Sequence, residues 1–132
     1  MNTTLKLDYD GIQDVDVAKI FYHRGWFLRR LGLERLEAST TARGFHVEAT
    51  LTCELAPEDV ILAQILLGSD IYREVYNFLH KLDGQMVGQW NKLFDKKFII
   101  LGTALKEVSH ETPNQKLTEI LLDQITKKVV SI

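Results

Sequence analysis

The chain has 132 residues, of which 45% are hydrophobic and 26% are charged, and its formal net charge is −2. This composition predicts one globular domain with a sizeable hydrophobic core, and the near-neutral charge argues against a dedicated binder of duplex DNA. Cys53 is the only cysteine, which excludes an intramolecular disulfide and a zinc site built from thiolates alone, and it favours a reducing, cytoplasmic location.

The amino terminus has neither the basic nor the apolar region of a signal peptide. The longest apolar run, VILAQILLG, is interrupted by Gln64 and is too short to span a bilayer. We therefore expect neither secretion nor a membrane partner.

Strand and helix patterns alternate in the first half of the chain. A strand is predicted at TLKLDYD, because apolar and polar residues alternate there. An amphipathic helix is predicted from Val17 to about Leu31, with Gly32 as its stop. Two more strands follow, a less regular one in LERLEAST and the clearest of the chain in FHVEATLTC, whose apolar face comprises Phe45, Val47, Ala49 and Leu51.

The second half is mainly helical. A helix is predicted from Pro57 to Leu67, and a second helix is predicted after a cap at Ser69, with an apolar stripe of Ile71, Val75, Phe78, Leu79 and Leu82. FIIL is the best strand candidate in the less regular segment that follows. The last helix belongs to a C-terminal segment, residues 112–130. Its predicted start is the capping box TPNQ, with proline in the first helical position, and it runs through Val129.

The apolar stripe of this last helix, formed by Leu117, Leu121 and Ile125, needs a packing partner. Two partners are open at this point. The helix can cover an exposed face of the sheet, or it can pair with a second copy of the chain in a homodimer.

The order of these elements predicts an α+β fold of the ferredoxin-like or RRM-like split βαβ type. In that topology the first and third strands are antiparallel neighbours at the centre of the sheet, helices cover one face of the sheet, and the other face is open. Strand parity then places Asp8 and Asp10 on the open face, beside His46. Carboxylates and an imidazole on one surface suit a divalent cation and a bound phosphate, to which Arg43 and the backbone N–H of Gly44 can contribute.

A simpler interpretation of the same residues is also available. A sheet with one solvated face carries polar residues at alternate positions, and two aspartates near a strand end before a glycine are common in turns.

The motifs nevertheless resemble a known family. LKLDYDG resembles the strand-borne Asp-x-Asp motif of archaeo-eukaryotic primases and primase-polymerases, and STTARGFHVEA resembles their second motif, which carries a nucleotide-binding histidine. LLGSDIYREVYNFLHKL is similar to the segment that follows this motif in small proteins of archaeal viruses and plasmids. The resemblance covers roughly the first 80 residues, a core of split βαβ size.

The resemblance implies metal-dependent nucleotidyl transfer, in which Asp8 and Asp10 bind Mg²⁺ or Mn²⁺ and His46 contacts the phosphates of a nucleotide. The implied protein acts in replication or nucleic-acid processing of a mobile genetic element inside its host cell, with a nucleotide or single-stranded nucleic acid as partner. The third carboxylate of the family has no assigned position. Asp70 and Asp83 flank a predicted helix, and Asp95 follows the WNKLF stretch.

The sequence therefore leaves three functions open. The first is a small primase-like protein, active or degenerate. The second is a non-catalytic nucleic-acid-binding module that needs no cofactor and uses Arg43 and the basic and aromatic stretch HRGWFLRR of the first helix. The third is a structural homodimer.

Overall fold

The computed structural model describes residues 2–93 and 111–128 with their side chains, and the backbone of 96–101 and 104–109. It has a mixed α+β fold, in which β1, β3, β2 and β6 form a four-stranded antiparallel sheet in that order and β4 and β5 form a separate two-stranded sheet. The elements in chain order are β1 (Thr3–Asp10), α1 (Asp14–Arg24), α2 (Phe27–Arg30), β2 (Leu33–Thr40), β3 (Gly44–Leu51), α3 (Pro57–Leu66), α4 (Ile71–Leu82), α5 (Val87–Trp90), β4 (Lys96–Leu101), β5 (Ala104–Ser109), β6 (Thr112–Pro113) and α6 (Gln115–Lys127).

β1 and β3 are antiparallel neighbours, as the order of elements predicted. Their register places Asp8 opposite His46 and Asp10 opposite Gly44. The other edge of β3 pairs with β2, so among the elements described β1 lies at an edge of this sheet and not, as was expected, at its centre. The fourth strand of the sheet, β6, pairs with β2 and not with β1.

The core lies on one face of the sheet. Leu5, Leu7 and Tyr9 of β1 are buried there, as are Val47 and Ala49 of β3. These side chains project to the same face because alternate residues of a strand share a face. Residues of α1, α2, α3 and α6 complete this core: Val17, Phe21, Leu28, Val60, Ala63, Leu117, Leu121 and Ile125.

The first predicted helix is divided into two. α1 ends at Arg24 and α2 begins at Phe27, with the N–H of Gly25 donating to the carbonyl oxygen of Phe21 at 3.0 Å. A glycine inside a helix costs about 1 kcal/mol relative to alanine, which favours a break at this position.

The C-terminal helix α6 packs against α1 and β2. Its stripe of Leu117, Leu121 and Ile125 is therefore buried in the core of the same chain. The predicted start of this helix was wrong, because Asn114 is the cap and its side chain accepts the N–H of Leu117 at 3.0 Å. Pro113 lies in β6, and the predicted end at Val129 is outside the described residues.

The helix α4 was predicted at the correct place, but its cap and its orientation need correction. The cap is Asp70, whose carboxylate accepts the N–H of Tyr72, and not Ser69. The residues of α4 that are buried are the polar Glu74 and Asn77, while its apolar stripe faces solvent. Among the described residues, no helix has the length and apolar character needed to cross a lipid bilayer.

Candidate metal centre

Three carboxylates converge where β1 ends and α4 begins. Asp8 and Asp10 project from the same face of β1, two residues apart, and Asp70 is the N-cap of α4. Each of the three offers a carboxylate oxygen, and these oxygens all lie within 4.8 Å of one another. Asp70, which the sequence analysis named only as flanking a helix, therefore lies beside Asp8 and Asp10.

Two hydrogen bonds with the edge of β1 that does not pair with β3 fix the position of Asp70. The N–H of Asp8 donates to Ser69 Oγ at 3.0 Å, and the N–H of Asp70 donates to the carbonyl oxygen of Asp8 at 2.7 Å. The Ser69 hydroxyl thus accepts a hydrogen bond from the edge strand and does not cap α4. These two hydrogen bonds satisfy edge groups of β1 that would otherwise need a neighbouring strand or water.

Side chains of α3 and α4 satisfy the next pair of edge groups. The N–H of Lys6 donates to Gln64 Oε1 at 2.9 Å, and Arg73 Nη1 donates to the carbonyl oxygen of Lys6 at 2.8 Å. The α3–α4 pair therefore lies along β1 where an additional strand could pair.

A buried polar network holds α4 in this position. The carboxylate of Glu74 is fully buried and accepts hydrogen bonds from Gln64 Nε2 at 2.7 Å, from Asn77 Nδ2 at 3.0 Å and from Arg73 Nη1 at 2.7 Å. Arg73 also donates to Asn91 Oδ1 at 2.8 Å. A buried charge pair is tolerated when further hydrogen bonds satisfy it, as they do here.

The pKa of Asp10 reflects both its burial and the neighbouring carboxylates of the cluster. Burial raises the pKa of Asp10, and the neighbouring carboxylates of Asp8 and Asp70 raise it further, while Arg43 acts in the opposite direction. Carboxylates that share one site resist simultaneous ionisation in this way. A bound cation relieves such repulsion.

Arg73 supplies a fixed positive charge next to this cluster. Burial lowers its pKa, whereas the carboxylates of Glu74, Asp8 and Asp70 act to raise it. A guanidinium stays protonated in proteins, so Arg73 remains a cation.

His46 lies on the same face as Asp8, as strand parity predicted, but it is only 2% exposed. Its Nε2 is 3.4 Å from Asp8 Oδ1, and its Nδ1 is 3.8 Å from Glu111 Oε1. The expected open surface around this histidine is therefore not found, and the imidazole lies between two carboxylates. Glu111 was missed by the sequence analysis because it stands outside every periodic pattern, just before the two-residue strand β6.

Arg43 and Gly44 lie in the turn before β3. Arg43 is exposed and close enough to Asp10 to lower the pKa of that carboxyl group. The N–H of Gly44 donates to Thr41 Oγ1 at 3.1 Å, so this donor is engaged within the turn. A Cβ atom at Gly44 would lie 1.8 Å from the carbonyl oxygen of Tyr9, and glycine is thus required for the close pairing with β1.

A cavity of about 440 Å³ adjoins the cluster and runs along α4 from Asp70 to His80. Asp8 lines it together with Asp70, and aromatic groups are contributed by Tyr76, His80 and Trp90. Its volume is within the range of small-molecule sites, about 300–1,000 Å³. The cavity thus combines carboxylates with flat, apolar ring surfaces.

The donor set of the cluster fits a hard divalent cation. All three donors are carboxylate oxygens. Hard cations such as Mg²⁺, Mn²⁺ and Ca²⁺ prefer oxygen ligands, whereas softer metals prefer sulfur or nitrogen ligands. Asp8 Oδ1 is buried and receives no hydrogen bond from the part of the chain that the structure describes. Within that part of the chain its nearest ion-pair contact is His46 Nε2 at 3.4 Å, so this oxygen can still accept a cation as a ligand.

Neither a model of a known protein family, nor a curated protein, nor a solved structure matches this chain.

Proposed function

We propose that this chain is a small primase-like protein that binds a divalent metal and a nucleotide, and that it acts in replication or nucleic-acid processing of an archaeal virus or plasmid. The observation that carries the proposal is the convergence of Asp8, Asp10 and Asp70 within 4.8 Å. Carboxylate oxygens suit the hard divalent cation of metal-dependent nucleotidyl transfer, and such a cation, when bound, would neutralise phosphate charge and activate the attacking oxygen.

The three aspartates hold the metal, and two cations of the chain complement the phosphates. Arg43 is exposed beside Asp10 and can bind phosphate oxygens in a bidentate way. Arg73 is already engaged with Glu74, Asn91 and the edge of β1, so it contributes a fixed field and not a mobile donor.

His46 has a positioning role in this proposal. Its burial and its 3.4 Å separation from Asp8 Oδ1 favour an imidazole that orients this carboxylate. Residues that orient metal ligands typically contribute about 10–100-fold to metal affinity.

The base of the nucleotide occupies the cavity along α4. The cavity begins at Asp8 and Asp70, where phosphates and metal would lie, and continues to the rings of Tyr76 and Trp90. Stacking of a base on an aromatic side chain contributes about 1–3 kcal/mol and tolerates any base.

The finer fold assignment belongs to the same proposal. The antiparallel pairing of β1 with β3, and of β3 with β2, agrees with an RRM-like sheet. The α3–α4 pair then takes the edge of β1 at which an RRM-like sheet carries its fourth strand.

The first experiment measures binding of a nucleoside triphosphate by calorimetry with Mg²⁺, with Mn²⁺ and with a chelator. We expect binding that depends on the metal and that Asp10→Asn weakens at least about tenfold. Asp83→Asn is the matched control, because Asp83 ends the same helix that Asp70 begins and lies outside the cluster.

The second experiment follows incorporation of a labelled nucleotide on a single-stranded template. Loss of one carboxylate ligand removes several kcal/mol of metal-derived stabilisation, so incorporation by Asp10→Asn should fall by roughly 100-fold or more. Metal-independent nucleotide binding, or equal activity of wild type and Asp10→Asn, would contradict the proposed function.

A further inference from the structure

Among the helices of the described residues, α4 is the most amphipathic, and it turns its apolar side outward. The stripe of α4 is between 49% and 60% exposed at each of its five positions, which are Ile71, Val75, Phe78, Leu79 and Leu82. The opposite side of the helix contributes the fully buried carboxylate of Glu74 and the buried Asn77. Burial of these polar groups in the network with Gln64 and Arg73 fixes the orientation, so the helix cannot rotate its apolar side inward without breaking that network.

The exposed apolar surface is large for a monomer. The neighbouring helix α3 adds Leu62, Ile65 and Leu66, which are also substantially exposed. In total these eight half-exposed side chains present on the order of 700 Å² of apolar surface, compared with roughly 300–600 Å² for the largest patch on a typical monomer. It approaches the roughly 800 Å² that each partner contributes to a standard stable interface.

The spacing within the stripe suits a helical partner. Ile71, Val75, Phe78 and Leu82 follow each other at intervals of 4, 3 and 4 residues, which is the a/d pattern of a coiled-coil seam. All four positions are apolar, in agreement with the depletion of charge at interface cores.

The same spacing is unchanged when the helix is read in reverse. An antiparallel pair of identical helices can therefore bring Ile71 to the partner's Leu82 and Val75 to the partner's Phe78, with a two-fold axis between positions 76 and 77. Both contacts pair apolar side chains, and the smaller Val75 leaves room for the phenyl ring of the partner's Phe78. A self-complementary patch of this kind is what a two-fold symmetric dimer requires.

We propose that the chain forms a homodimer through antiparallel packing of α4 against α4 of a second copy. Asp70 caps the same helix, so the two acidic clusters of the dimer lie at opposite ends of the helix pair, separated along its axis by roughly 18 Å for a helix of this length. The dimer thus leaves both clusters at the margin of the interface and outside its apolar seam.

Sedimentation velocity over a range of protein concentrations tests the proposal. As the protein concentration rises, we expect the wild-type mass to increase from the 15.2 kDa of one chain towards twice this value. Phe78→Glu should raise the dissociation constant of the dimer at least about thirtyfold. Val15→Glu is the matched control, because Val15 is an equally exposed apolar residue of α1 and should leave dimerisation unchanged. Circular dichroism verifies that both variants fold.

Disulfide trapping tests the register in a Cys53→Ser background. Antiparallel pairing predicts that a mixture of Val75→Cys and Phe78→Cys chains yields the mixed disulfide, whereas Ile71→Cys mixed with Val75→Cys does not. A monomer at every concentration, or a dimer that Phe78→Glu leaves intact, would overturn the proposal and assign the surface to a different protein or to another segment of a longer chain.

Discussion

The backbone N–H of Asp70 donates to the carbonyl oxygen of Asp8 at 2.7 Å, and this hydrogen bond joins the start of α4 to the free edge of β1. It brings a carboxylate of a helix cap beside two carboxylates of a strand. Because the bond involves backbone groups only, each aspartate can be replaced by asparagine while the frame of the cluster is retained. The chemistry of the cluster can therefore be separated from the stability of the fold.

Asp10→Asn tests the charge repulsion within the cluster. Burial and the carboxylates of Asp8 and Asp70 raise the pKa of Asp10, so the folded state binds this proton more tightly than the unfolded chain does. The resulting stabilisation is complete below the unfolded pKa of about 4 and is lost as the pH rises through the raised pKa.

We therefore expect Asp10→Asn to increase the free energy of unfolding at neutral pH in the presence of chelator. The gain should not exceed about 1 kcal/mol, because the group is largely exposed and solvent screens the repulsion. Denaturant unfolding from acid to neutral pH measures the effect, and the difference from wild type should shrink as the medium becomes acidic. A difference that grows on acidification would contradict the assignment.

Gly44→Ala tests the close pairing of β3 with β1. The added Cβ would lie 1.8 Å from the carbonyl oxygen of Tyr9, so one of the two strands must shift. Overpacking of this kind costs about 1–3 kcal/mol in the free energy of unfolding, which urea denaturation measures. Gly88→Ala is the control, since nothing lies within 4 Å of its Cβ position, and it should be neutral or slightly stabilising. Equal effects of the two substitutions would rule out the steric explanation.

Glu74→Ala tests the buried network beneath α4. The substitution removes the carboxylate that Arg73, Gln64 and Asn77 share, and it leaves the guanidinium of Arg73 without its charge partner. Removal of one member of a buried ion pair costs about 3–5 kcal/mol. The exposed Arg35–Glu37 pair provides the comparison, because Glu37→Ala should change stability by less than about 1 kcal/mol. Similar losses for both variants would show that the network does not hold α4.

The strand part of the cluster was predictable from the sequence. Apolar and polar residues alternate along β1 and β3, and this period of two fixes which side chains share a face. Together with the order of elements, it placed Asp8 or Asp10 next to His46, and the register shows that the neighbour is Asp8.

Asp70 was not predictable from local pattern. LLGSD is a helix junction by its sequence, and both Ser69 and Asp70 are good caps. The choice between them depends on the edge of β1, which takes the Ser69 hydroxyl as an acceptor and leaves Asp70 to cap the helix. Such a choice follows from tertiary contacts and leaves no signature in the spacing of residues.

The orientation of α4 could not be predicted from the sequence, for a related reason. Its periodicity reveals two sides, one apolar and one polar, and an apolar side usually faces the core. Here the polar side carries the partners that the edge of β1 and the buried Gln64 need. The burial of His46 likewise depends on surroundings that include Glu111, far along the chain.

The most direct test of the central claim is titration with Mn²⁺, followed by paramagnetic broadening of backbone amide signals in wild type, Asp70→Asn and Asp83→Asn. Asparagine retains the capping ability of Asp70, so the fold is preserved while one ligand charge is removed. We expect selective broadening at the end of β1 and the start of α4, a dissociation constant at least about tenfold higher for Asp70→Asn, and an unchanged constant for Asp83→Asn. Broadening centred elsewhere, or equal Mn²⁺ affinity of wild type and Asp70→Asn, would contradict the assignment of Asp8, Asp10 and Asp70 as one metal site.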